Sequence, residues 1–140
     1  LKMEIKTIHE KIAPAKIAET DLAYNLGRFG YHEFGRPSNN GKKICIEYIT
    51  TALLLQDDIR FREAAPVILA KNNFNSNLLA FLSRKFGTAE DLMSILKILQ
   101  ELKPSKEIKR TIDFLSVFNT QETLTDKQGI EAKLRLYNAL

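Results

Sequence analysis

Apolar residues recur three and four positions apart along almost the whole of this chain. No stretch longer than four or five residues alternates apolar with polar. A period near 3.6 gathers such residues on one side of a helix, whereas a half-buried strand needs a period of two. The first stripe is Ile5, Ile8 and Ile12, interrupted by Pro14, and the second runs through Ile17, Leu22 and Leu26. A third carries Ile44, Tyr48, Ile49, Ala52 and Leu53 and ends near Gln56-Asp57-Asp58. A helix over Arg60 to Lys71 follows; Pro66 must lie in its first turns or at a kink, because the ring clashes with the carbonyl four residues back. Leu78, Leu79, Leu82 and Phe86 mark the next helix, with Gly87 as its C-cap. Thr88 then caps a helix through Leu92, Ile95, Leu96, Leu99 and Leu102. Pro104-Ser105 starts another through Ile108, Ile112 and Leu115. Thr125 with Gln128 forms a capping box for the last, whose first turn Gly129 weakens and whose buried residues are Ile130 and Leu134. The expected fold is all-α, a compact orthogonal or repeat-like bundle of six or seven helices, or a set of stacked helical hairpins.

A chain of 140 residues buries about two-thirds of its unfolded surface, enough for a core without staples. Residues 1–140 are therefore expected to form a single helical domain. The start on Leu1, with Met3 close behind, fits either residues added in cloning or a fragment of a longer chain. A hydrophobic share of 44% and a charged share of 27% exclude an intrinsically disordered chain. Apolar runs such as Ala52–Leu55 and Val67–Ala70 are too short to span a bilayer, so no membrane partner is expected. The opening residues mix charges with aliphatics, unlike a signal peptide. Cys45 is the sole cysteine, which excludes a disulfide framework and fits a reducing, cytoplasmic setting. The net charge of +4 is spread out: the first 70 residues hold 10 basic and 9 acidic side chains, the last 70 hold 11 and 8. Such a balance permits an anionic partner without announcing one.

Four of the six glycines, Gly27, Gly30, Gly35 and Gly41, fall within 15 residues. The segment "GRPSNNGKK" (35–43) has the outline of a phosphate-binding loop, but its details exclude one. Five residues rather than four separate its glycines, Lys43 stands where the magnesium-binding hydroxyl belongs, Pro37 removes a backbone donor, and no buried strand precedes it. Two readings of this region remain. Arg28, Arg36, Lys42 and Lys43 beside Tyr31, with Arg60 and Arg62, form a basic aromatic surface suited to phosphates and a stacked base. Alternatively Phe29 and Phe34 close the core while the charges face water. "DLAYNLG" (21–27) resembles half of a helix-turn-helix, but Gly30, Gly35 and Pro37 would break the recognition helix. His9-Glu10 and His32-Glu33 lack the second histidine of a zinc-protease motif, and two histidines with one cysteine do not make a structural zinc site. Asp57, Asp58 and Glu63 intermix with Arg60 and Arg62, as at a salt-bridged helix start. Cys45 lies in an apolar stripe, as a buried inert thiol does. No catalytic set, metal or cofactor is expected.

Residues 49–72, "ITTALLLQDDIRFREAAPVILAKN", resemble one HEAT-type helical repeat. Asp58 takes the place of the turn aspartate, and Phe61-Arg62, Ala65 and Leu69 follow at the family's offsets. Ile108-Lys109, Ile112 and Leu115 repeat the offsets of Phe61-Arg62, Ala65 and Ile68 at a distance of 47 residues. The resemblance implies stacked helix pairs that present a binding surface. Residues 60–87 are similar, more faintly, to helical domains that accompany prokaryotic nucleotidyltransferases, without the catalytic motif of those enzymes. The expected function is a non-enzymatic module for protein–protein interaction or an accessory subunit, with a protein partner or a second copy of the chain. The alternative is a nucleic-acid-associated protein using the basic, glycine-rich loop 28–43, as a companion of a nucleotidyltransferase.

Overall fold

The computed structural model describes residues 13–34, 41–118, 120 and 126–140. After a 3-10 turn at Pro14–Lys16 come α1 (Glu19–Arg28), α2 (Ile46–Leu54), α3 (Ile59–Arg62), α4 (Ala64–Lys71), α5 (Ser76–Lys85), α6 (Ala89–Leu102), α7 (Lys106–Ser116) and α8 (Lys127–Leu136). Seven of these exceed a single turn, and no strand occurs among the described residues. The fold is all-α, as the periodicity requires. The stripe at Ile5, Ile8 and Ile12 lies outside the described residues.

The sequence of α2, IEYITTALL, contains one charged residue and no polar face. A helix apolar all round has no side to give to water and must sit at the centre. All nine of its residues are buried, and it packs against the 3-10 turn, α1, α3, α4 and α5. Around it, α7 lies across both α5 and α6, while α8 lies on α4. None of the described helices is long and apolar enough to cross a membrane.

Arg60–Lys71 is two helices rather than one. Asp58 caps α3, its Oδ1 accepting from Arg60 N–H at 3.0 Å, and the chain breaks at Glu63 before α4 begins. Pro66 is the third residue of α4, where a backbone N–H has no intrahelical partner and its loss costs little. Two further starts differ from expectation. The cap of α8 is Asp126, whose Oδ1 accepts from Gly129 N–H at 3.0 Å; Thr125 lies outside the described residues. Thr88 precedes α6 but makes no side-chain cap, because it also ends α5.

Three helices end in the same left-handed closure. Gly30 (φ 94°) follows α1, Gly87 (φ 76°) follows α5 and Asn138 (φ 56°) follows α8. In each the next N–H reaches back to the carbonyl five residues earlier: Tyr31 to Leu26, Thr88 to Ser83 and Ala139 to Leu134, each at 2.8 Å. This is the Schellman arrangement, and glycine or asparagine is favoured where φ is positive. Tyr31, Thr88 and Ala139 are all buried. Lys71, the last residue of α4, draws the ends of two other helices to its own. Its ammonium donates to Gly30 O and Tyr137 O, each at 3.0 Å. A cation among the negative ends of helix dipoles is favourably placed.

Buried polar groups are tied across elements. Glu47 of α2 accepts the Asn75 N–H at 2.6 Å, and Ser76 Oγ donates to Glu107 O at 3.0 Å, linking α5 to α7. Thr51 Oγ1 donates to Glu47 O within α2. Thr50, fully buried on the same helix, has no hydrogen-bond partner for its hydroxyl. A buried hydroxyl without a partner costs free energy that an isosteric methyl does not. Thr50→Val is therefore expected to stabilise the fold by about 1 kcal/mol. Urea unfolding should show a higher midpoint with an unchanged slope.

Candidate binding surfaces

The glycine-rich region is organised by Asn25, which is fully buried. Its Nδ2 donates to Asp21 O and Lys42 O, both at 2.8 Å. Its Oδ1 accepts from Ile44 N–H at 2.9 Å and from Arg28 Nη1 at 2.5 Å. One amide thus uses its whole donor and acceptor capacity to pin residues 42–44 to α1. Gly41 lies so close to Tyr24 that a Cβ there would fall 2.3 Å from the ring. The glycine permits close packing against that side chain.

The side chains singled out in the sequence are dispersed in their roles. Arg28 bonds Asn25 and, at 3.2 Å, Ile44 O, while its guanidinium lies over Phe29. Tyr31 is only 1% exposed and stacks on Tyr137 with ring centroids 4.4 Å apart; it belongs to the core rather than to a surface. Phe34 stacks on Phe61 at 4.5 Å, so the aromatics of this region do pack inward. Lys42 and Lys43 are exposed. Arg60 is held by Asp58 at 2.8 Å and Arg62 by Asp91 at 3.4 Å. Arg36 lies outside the described residues.

Beside Tyr31 is a network that the sequence did not reveal. Tyr31 Oη donates to Glu33 Oε2 at 2.6 Å. Lys133 of α8 donates to Glu33 Oε1 at 3.0 Å and to Glu63 Oε2 at 3.1 Å, joining residues 100 and 70 positions away. Burial alone would raise Glu33, but hydrogen bonds from Tyr31 and Lys133 outweigh it and hold the carboxyl below its usual range. Burial likewise works against charge on Lys133, yet its bonds to Glu33 and Glu63 raise its pKa overall. Burial, then the Glu33 carboxylate, pushes the Tyr31 hydroxyl far upward. These shifts favour fixed charges and a neutral phenol at neutral pH, as in a structural ion cluster. Cys45 is pushed up to about 11, chiefly by burial, so its thiolate is scarce at neutral pH.

The most prominent surface feature was missed in the sequence. Phe81 is 59% exposed, Val117 74% and Phe118 52%, with Phe114 also exposed. The Arg84 guanidinium lies 3.4 Å from the Phe118 ring centroid, and Lys85 approaches the rings of Phe81 and Phe86. Phe81 and Arg84 share a face of α5 through their spacing of three, and Phe114 and Phe118 are four apart at the end of α7. The Arg84 contact places the face of α5 that carries Phe81 beside Phe118, so exposed rings and basic side chains adjoin there. The available signal was that Phe81 falls outside the Leu78, Leu79 and Leu82 stripe, and Phe114 and Val117 outside that of Ile108, Ile112 and Leu115.

A cavity of about 310 Å³ opens between α3, α4, α6 and α8. Leu54, Pro66, Ile95 and Ile130 supply apolar wall, and Ile59 stands at the side with its side chain largely exposed. Arg62, Glu63, Asp91, Asp126 and Lys133 supply the charges. Among the described residues, no three His, Cys, Asp or Glu side chains come together as a metal site. No family model, curated protein or solved structure matches the chain.

The ion cluster has a definite pH signature. Because the Glu33 pKa is lower folded than unfolded, its contribution is present above the ordinary glutamate value and is lost as pH falls through the folded value. The stability difference between the native chain and Glu33→Gln should be constant near neutrality. It should shrink once the pH drops below about 4.5, as measured by urea unfolding at a series of pH values.

Proposed function

We propose that the protein is a non-enzymatic helical interaction module, an accessory subunit that docks a protein partner through the face formed by Phe81, Arg84, Phe114, Val117 and Phe118. The exposed aromatic cluster carries this reading. Burying aromatic surface is favourable, and aromatic residues with arginine are the commonest energetic centres of protein interfaces. Here the rings stand on α5 and α7, which pack directly on each other, so the face is presented on a rigid base. Its edge is basic, with Arg84 and Lys85 lying against rings and making no ion pair among the described residues. The fitting partner is an amphipathic segment with apolar side chains and acidic flanks. The resemblance of residues 49–72 to a HEAT-type repeat agrees with this reading, since such repeats serve binding.

Nucleic acid is the competing reading, because aromatic rings beside cations also suit stacked bases. The protein reading is preferred because Arg60 and Arg62, expected on a phosphate-binding surface, are each engaged by a carboxylate.

The test places a photo-crosslinking phenylalanine analogue at 81 or 118, with a control at the exposed Lys97. Irradiation in cells should join the first two positions, and not the control, to the same discrete protein. Phe118→Ser should weaken capture about tenfold while changing unfolding stability by no more than about 0.5 kcal/mol. Equal labelling at all three positions would remove the reading. Labelled oligonucleotide whose affinity falls with salt at a log–log slope of roughly −3 to −4 would establish the alternative instead.

A further inference from the structure

We infer that the cavity between α3, α4, α6 and α8 is a binding site for a small apolar organic cation, an ammonium group carried on an aliphatic or aromatic body. Its volume of about 310 Å³ falls in the range of ligand pockets, at the small end. At roughly 30 Å³ for a water-sized group, it holds about ten heavy atoms. Its apolar wall includes Ile95, which is nearly fully buried, and Ile130, so the body of the ligand must be apolar.

The charges decide the polar end. Three carboxylates and two cations line the cavity. Asp91 is matched by Arg62 at 3.4 Å and Glu63 by Lys133 at 3.1 Å. Lys133 also carries Glu33 at 3.0 Å, so it has no unmet positive charge to offer an anion. Asp126 is the remaining carboxylate; it accepts the Gly129 N–H at 3.0 Å and faces no cation among the described residues. A carboxylate keeps further acceptor sites after one such bond. An ammonium entering beside Asp126 would meet a partner, whereas a carboxylate ligand would meet a negative balance. The site stands independently of the aromatic face on α5 and α7, and neither needs the other.

Three probes of one shape separate charge from apolar fit: 2-phenylethylammonium, 2-phenylethanol and 3-phenylpropionate. Each is titrated into the full chain while the methyl resonances of Ile95 and Ile130 are followed, with Ile44, which does not line the cavity, as reference. The ammonium should shift Ile95 and Ile130 saturably with a dissociation constant of about 1 mM, ordinary for a probe of this size. The propionate should bind at least about tenfold more weakly, given the charge balance. Asparagine caps helices as well as aspartate, so Asp126→Asn keeps α8 intact while removing the charge. It should weaken the ammonium about fivefold and leave the alcohol unchanged. Equal affinity for all three probes, a preference for the propionate, an Asp126→Asn variant that binds the ammonium as the native chain does, or unmoved Ile95 and Ile130 signals would each overturn the assignment.

Discussion

Everything in this fold is arranged around the burial of α2. Its nine residues are all shielded from water, so it has no solvent face with which to end a layer, and other helices must cover every side. Covering it consumes the 3-10 turn, α1, α3, α4 and α5, which leaves α6, α7 and α8 to build outward from that shell. The central helix carries its polar groups at a cost. Glu47 is buried yet offsets its desolvation by accepting the Asn75 N–H, and thereby fixes where α5 begins. Thr50 has no such compensation. The difference shows why one buried polar residue specifies geometry and another merely reduces stability.

The periphery is closed by helix ends rather than by helix faces. The left-handed closures after α1 and α8 turn Tyr31 and Ala139 inward, and the stacked Tyr31 and Tyr137 rings join the two ends. Lys71 then satisfies a carbonyl from each. Lys103 does the same for the last turn, donating to Ala139 O at 2.9 Å. Segments distant in sequence are thus held by backbone carbonyls that would otherwise lack partners. The closures depend on glycine or asparagine at a few positive-φ positions.

Patterns with a period of three or four reported local structure well. Ser105 caps α7 and Gly87 ends α5 as their positions predict, because both signals act within a few residues. Contacts across the chain were not legible. Nothing near Gly41 in sequence announces that its neighbour is Tyr24, so a packing glycine looked like part of a loop with chemistry. Tyr31 next to Arg28 suggested an aromatic surface, but its environment is set by Tyr137 and Lys133, over a hundred residues away. The Asp126 cap of α8 acts over three residues, its carboxylate meeting the free Gly129 N–H. The aromatic face escaped notice because stripe-finding selects residues that fit the core and passes over those that do not.

The two sets of cations on this molecule differ in what occupies them. Arg28 is engaged by Asn25 and a backbone carbonyl, and the charges of Arg60 and Arg62 are already matched by carboxylates. Arg84 and Lys85 lie against rings too, as Arg28 and Arg60 do, but against the exposed rings of Phe118 and Phe81. A cation held over an exposed ring retains most of its hydration and its capacity to donate hydrogen bonds. Such a contact orients the side chain without satisfying it. In the proposed docking the same cations would lose water and meet acidic groups in a less polar setting, where the attraction is stronger. Exposed rings add nothing to the core of the free protein, since their surface remains in water. Their energetic value is realised only on being covered, so the proposed docking rests on this face rather than on the arginines of the glycine-rich region.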